Sequence, residues 1–187
     1  QEGLYVIWKT DPHARNYDTS EIIPVVVINE QSAFAAISCV VARHAALRTI
    51  FFAQSARGLL QFFESASNTQ FCWSWFERTE GVFSPINLDI DSWDLEEGRS
   101  GGVLRFEGVQ GSYIALLAHH IISDEWSMRI VHREIDALLN HSLQMQLPEV
   151  RAQCTDFAEW EHGAVQEKGS ELQGWWQSRL MAARPCK

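Results

Sequence analysis

Apolar positions change their spacing several times along the chain, and each change marks an element. Residues 22–29 (IIPVVVIN) are short and β-branched, which predicts a strand, with Pro24 placing it at an edge or near its start. From Gln31 to His44 the apolar Phe34, Ile37 and Val41 recur at helical spacing. Leu47–Ala53 and Leu59–Phe63 read as two strands around the turn Ser55–Gly58, and Gln70–Phe76 as a third. The early order is therefore strand, helix, meander.

Further on, Asp91, Ser92 and Asp94 supply cap-like residues before Leu95–Gly98, as in a short helix or turn. Val103–Glu107 and Ser112–Ala118 predict a hairpin across the glycine-bearing Gly108–Gly111. The second of these strands, YIALLA, is apolar throughout, the pattern of a central strand covered on both faces. It runs straight into His119 and His120. A helix starts at about Ser123, with Ser123 or Asp124 as its cap and Trp126, Ile130, Ile135, Leu138 and Leu139 as one face. Two more helices are predicted around Cys154–Gln166 and Ser170–Met181, so the class is mixed α/β.

Composition narrows the function. The 187 residues fit one domain or one lobe of a larger one, and 46% hydrophobic with 21% charged residues is enough for a real core. Fifteen Lys and Arg against 24 Asp and Glu give a net charge of −9 without a basic run, which argues against a nucleic-acid or anionic-membrane partner. Cys39, Cys72, Cys154 and Cys186 stand far apart with no metal-ligand spacing and read as reduced thiols of a cytoplasmic protein. No apolar run approaches a membrane span, and no basic-then-apolar leader is present. The chain opens at Gln1 directly into the apolar Leu4–Trp8, as a sequence starting part-way into something longer would.

The most informative segment is HHIISDEWS, residues 119–127. A histidine at the end of a buried strand can act as a general base, because its ordinary pKa of about 6.5 leaves it largely neutral near pH 7. Asp124 could orient an imidazole or bridge to a distant arginine. Adjacent histidines at a strand end point to opposite sides, which disfavours one metal ion on His119, His120 and Asp124. Ser123 and Ser127 lack the GxSxG context of a hydrolase nucleophile. A purely structural histidine pair and acyl transfer without a protein nucleophile both remain open. His44 and His132 read as structural, and Trp73 and Trp75 as one strand face in a core.

Six ordered segments resemble the condensation domains of nonribosomal peptide synthetases, in the chloramphenicol-acetyltransferase-like superfamily. His119–Glu125 resembles the HHxxxDG motif, followed by Trp126-Ser127; residues 1–4 (QEGL) resemble SPxQEGL, and 43–49 (RHAALRT) resemble RHExLRTxF. Residues 93–98 (WDLEEG) with Leu104-Arg105 are similar to FDLxxGPLxR, 155–160 (TDFAEW) to YxDFAxWQ, and 175–180 (WWQSRL) to YWxxxL. The resemblance implies residues 1–187 are the N-terminal lobe of a V-shaped, two-lobed domain with a tunnel between the lobes, the C-terminal lobe being absent. It implies amide formation between a thioester donor on one carrier protein and an aminoacyl acceptor on the next. His120 would assist the acceptor amine, beside His119. Asp124 would be structural, paired with Arg43 or Arg48. No cofactor would bind directly; substrates would ride on the phosphopantetheine of peptidyl or acyl carrier proteins, with adenylation modules in the same assembly line.

The sequence departs from that pattern at Glu125, which stands where the motif has glycine. A carboxylate there could obstruct an acceptor channel bordered by Glu125, Trp126 and Ser127, bind a cationic acceptor, or turn to solvent at the helix N-terminus. Ala45 replaces the glutamate of RHE, and Arg99–Gly102 the compact GP turn. Two other roles follow from the same residues: a recruitment domain that has lost catalysis, and an acyltransferase using a coenzyme A ester.

Overall fold

The computed structural model describes residues 1–25, 29–54, 58–65, 73–78, 93–108, 111–141 and 145–181, with backbone alone at 54, 73–78, 107–108 and 141. It divides into two compact units, Gln1–Val150 and Arg151–Lys187. In the first unit the order is helix α1 (Glu2–Thr10), strand β1 (Asp18–Val25), helix α2 (Glu30–Arg43), a 3₁₀ turn (Ala45–Arg48), then strands β2 (Thr49–Gln54), β3 (Gly58–Phe63), β4 (Trp73–Arg78), β5 (Gly101–Gly108) and β6 (Gly111–His119), and helix α3 (Glu125–Asp136) continuing into a π-helical turn (Ala137–His141).

Four strands form one sheet in the order β1-β6-β5-β4, and β2 and β3 pair as a separate two-stranded sheet. β6 lies antiparallel to both β1 and β5, so it is interior, and Ile114–Ala118 are almost completely buried. The apolar run YIALLA therefore means what it suggested, a strand covered on both faces. The predicted meander is corrected: β4 leaves β2 and β3 and pairs parallel with β5. Turn residues 55–57, strand residues 70–72 and cap residues Asp91 and Ser92 lie outside the described residues, as do Cys72 and Cys186, while Cys39 and Cys154 are free thiols. The side chains of Trp73 and Trp75 are also outside it.

Helix faces differ from expectation in detail. On α2, Ala33, Ala36, Ile37, Val40 and Val41 are buried while Phe34 is 47% exposed. On α3 and the π-helical turn after it the buried stripe is Met128, Val131, Ile135 and Leu138, spaced three, four and three residues apart, and Trp126 stands outside it. Asn29 caps α2 by accepting the Ser32 N–H. α1, unassigned from sequence, buries Tyr5 and Trp8, and the Trp8 indole donates to the Trp93 carbonyl at 3.0 Å. Residues 94–99 form a bridged turn closed by Gly98 at φ +75°, a left-handed angle glycine adopts without strain.

Among the described residues the second unit holds one helix, α4 (Cys154–Leu180), where two were predicted. No proline interrupts it, and an exposed helical glycine such as Gly163 costs only about 1 kcal/mol relative to alanine, too little to break the run. Among the described residues no helix is long and apolar enough to cross a membrane.

Candidate functional site

The site is assembled where β6 ends. β6 ends at His119 and His120 opens the turn that follows; His119 is 2% exposed and His120 is exposed. Each backbone amide is tied down. His119 N–H donates to the Ser100 carbonyl at 2.8 Å and His120 N–H to the Tyr17 carbonyl at 2.6 Å. Two segments remote in sequence thus fix the pair before any side chain is considered.

The two imidazoles are held in opposite tautomers. His119 Nδ1 accepts the Ile121 N–H at 3.1 Å, which leaves the proton of the neutral ring on Nε2. Burial pushes its pKa down to about 4, with Asp18 opposing the shift and His120 adding to it, so His119 is uncharged near neutral pH. His120 Nδ1 lies 2.6 Å from the Ser123 carbonyl, an oxygen that can only accept; the proton is therefore on Nδ1, and Nε2 carries a lone pair on an exposed ring.

The loop that returns this carbonyl is itself braced. Thr19 Oγ1 donates to the Ala118 carbonyl at 3.0 Å and receives the Ser123 hydroxyl at 2.6 Å. Asp124 is the N-cap of α3, accepting the Ser127 N–H at 2.7 Å and the Ser127 hydroxyl at 2.5 Å. These hydrogen bonds, the Ser127 hydroxyl foremost, hold the Asp124 carboxyl below its usual range.

Among the described residues no ion pair joins Asp124 to Arg43 or Arg48. Arg43 grips Glu134 on α3 through Nε and Nη2, each at 3.1 Å, and donates to the Pro148 carbonyl, and His44 Nε2 sits 2.8 Å from the same carboxylate. Arg48 donates to the carbonyls of Val41 and Glu64. The two carboxylates differ in their surroundings: Ser127, within the same turn, gives Asp124 Oδ1 two local donors, whereas the half-buried Glu134 is matched by a cation. Burial opposes ionisation of Glu134, and the hydrogen bonds from Arg43 and His44 outweigh it, leaving that carboxyl below its ordinary value.

Glu125 occupies the first turn of α3 and pairs with Arg129 at 2.6 Å, one helical turn on, with both side chains largely exposed. Trp126 is 69% exposed. With Glu21, Arg129, His132 and Arg133 it lines a groove of about 360 Å³ between β1 and α3, which His120 does not border; His132 Nδ1 donates to Glu21 at 2.9 Å. Tyr17, Thr19 and Ser100 were not singled out from sequence, since two of them act through backbone carbonyls that carry no sequence signal.

Against known proteins, the family model described as Condensation domain matches residues 1–186. Enniatin synthetase of Fusarium oxysporum is 28% identical over 154 residues, 78% of this chain and 5% of that protein. In the solved epimerization domain from the third module of tyrocidine synthetase B, a similar fold covers 91% of this chain and 41% of that one, at a TM-score of 0.74 and 17% identity. The condensation domain that mediates chain release from the enacyloxin polyketide synthase matches 98% of this chain and 38% of its own, at 0.72 and 18%. The chain thus spans less than half of either solved domain and a small part of the synthetase.

Proposed function

The chain belongs to the condensation-domain family, and on that premise we propose that it supplies the histidine-bearing half of a domain that joins a carrier-bound acyl or peptidyl thioester to the amine of a carrier-bound aminoacyl group. The observation that supports this reading is the state of His120, whose Nδ1 is committed to the Ser123 carbonyl while Nε2 is open on an exposed ring. A neutral imidazole so presented can take a proton from an attacking amine.

In the proposed reaction the amine nitrogen bonds to the thioester carbonyl carbon and the carbonyl electrons move onto oxygen. Collapse of that adduct breaks the C–S bond, and the departing thiolate takes the proton from Nε2, leaving an amide and a thiol. No protein nucleophile is required, because the thioester is already activated and holding the two substrates in line lowers the barrier. His119, neutral and buried, keeps a second positive charge away from His120. The donor and acceptor arrive on phosphopantetheine arms of peptidyl or acyl carrier proteins, loaded by adenylation modules of the same assembly line, and a second lobe completes the tunnel.

The test is amide formation from donor- and acceptor-loaded carriers by the two-lobed domain. Wild type should form product and His120→Ala should lose about 10²–10⁴-fold in rate, the usual worth of a positioned general base. Equal rates would remove His120 from the chemistry. Product from Glu125→Gly but none from wild type would establish the recruitment role.

A further inference from the structure

Neither the motifs nor the helical and strand patterning mark the short corner between α1 and β1, yet it touches both histidines. Tyr17 offers the carbonyl that holds the His120 amide at 2.6 Å. The next residue, Asp18, stands directly across the β1–β6 ladder from His119. Its carboxylate is only 12% exposed and is gripped from two sides: Arg15 Nε donates to Oδ2, and the Trp93 indole donates to Oδ1 at 2.5 Å. Trp93 is in turn fixed by burial and by the Trp8 indole on its carbonyl, and the Arg15 guanidinium lies 5.9 Å from the Trp93 ring centroid. The Asp18 N–H closes the corner on the Arg15 carbonyl at 3.2 Å.

We infer that Asp18 is a positioning residue for the histidine pair, its carboxylate locking the 15–18 corner to Trp93 so that the Tyr17 carbonyl holds His120 where β6 ends. The geometry separates this from an ordinary surface ion pair. A local Arg–Asp pair three residues apart contributes little when exposed, but a carboxylate almost removed from water and bonded to a buried indole couples the corner to the core. The charge of Asp18 also reaches His119, where it opposes the downward shift caused by burial. Asp18 touches no reacting atom; it acts through Tyr17 and His120.

Amide hydrogen exchange tests this on the chain itself, without any assay of activity. In Asp18→Ala the His120 amide should exchange about tenfold or more faster, while Ala115 and Leu117 within β6 keep their protection. Asp18→Asn, which retains an oxygen for the Trp93 indole, should restore part of the protection at His120. Trp93→Phe removes the indole donor by an independent route and should reproduce the Asp18→Ala pattern if the alanine variant fails to fold. Unchanged exchange at His120 in both variants overturns the inference, and so does an equal loss across β6 and α2, which would make Asp18 a general stabiliser. The catalytic arm rests on the proposed function: in the two-lobed domain Asp18→Asn should lower kcat about tenfold with KM unchanged. Selective exchange at His120 with no amide formation by wild type would leave the positioning role standing and the functional reading refuted.

Discussion

Acid should loosen this fold through His119 before its carboxylates titrate. The ring is 2% exposed and its pKa falls from 6.5 to about 4, first because burial penalises the imidazolium, with His120 adding to the fall and Asp18 resisting it. The folded chain therefore binds this proton more weakly than the unfolded one. Stability is complete above the unfolded value and is lost as pH falls from about 6.5 towards 4. At pH 5 the unfolded ring is protonated about 30 to 1 and the folded ring about 1 to 10, which costs about 2 kcal/mol relative to pH 7. In urea that corresponds to a midpoint shift of about 1 M for a typical small-domain slope. His119→Asn is the informative variant, because its side-chain oxygen can still accept the Ile121 N–H that Nδ1 accepts at 3.1 Å. Urea unfolding at pH 7 and pH 5 should show the variant losing about 2 kcal/mol less than wild type between the two. Parallel losses in the two proteins would refute the assignment of a neutral, buried His119.

The other consequences are smaller or more local. Glu134→Gln removes the charge that Arg43 and His44 share, and should cost about 2–3 kcal/mol at pH 7 by denaturant unfolding. The Glu134 carboxyl is depressed in the folded state, so this difference should be full above about pH 4.5 and shrink as pH falls through the folded value. Asp124→Ala should cost about 1 kcal/mol as a lost helix cap and Asp124→Asn only a fraction of that; equal costs would show that the capping geometry is not what the carboxylate supplies. Leu116→Ala, at a completely buried position of the interior strand, should cost about 2–5 kcal/mol, and a loss under 1 kcal/mol would place β6 at an edge.

Much of the fold could be read from the sequence because the decisive signals are local. The all-apolar YIALLA run required burial on both faces, and the structure places β6 between β1 and β5. A cap at Ser123 or Asp124 followed from their position before a helical period, and the structure makes it Asp124. What could not be read depends on partners far along the chain. β4 pairs with β5 across more than twenty residues, and nothing in its own sequence specifies a parallel neighbour. Trp126 fits an apolar helical period, but β1 and the core lie against Met128 and Val131 instead, and a tryptophan beside a groove stays exposed. Arg43 meets Glu134 because α2 and α3 cross near their C-terminal ends, a fact of packing that spacing cannot give. Tyr17 and Ser100 hold the histidines through carbonyls, which every residue possesses.

The proposal that His120 is the base stands on one proton. Long-range ¹H–¹⁵N spectra of the imidazoles report directly which nitrogen carries it. The geometry requires two different answers from neighbouring residues: His119 protonated on Nε2, with Nδ1 receiving Ile121, and His120 protonated on Nδ1, with Nε2 open to a substrate amine. A spectrum in which His120 carries its proton on Nε2 would contradict the account, because the nitrogen facing out would then be a donor with no lone pair to accept the proton of the amine.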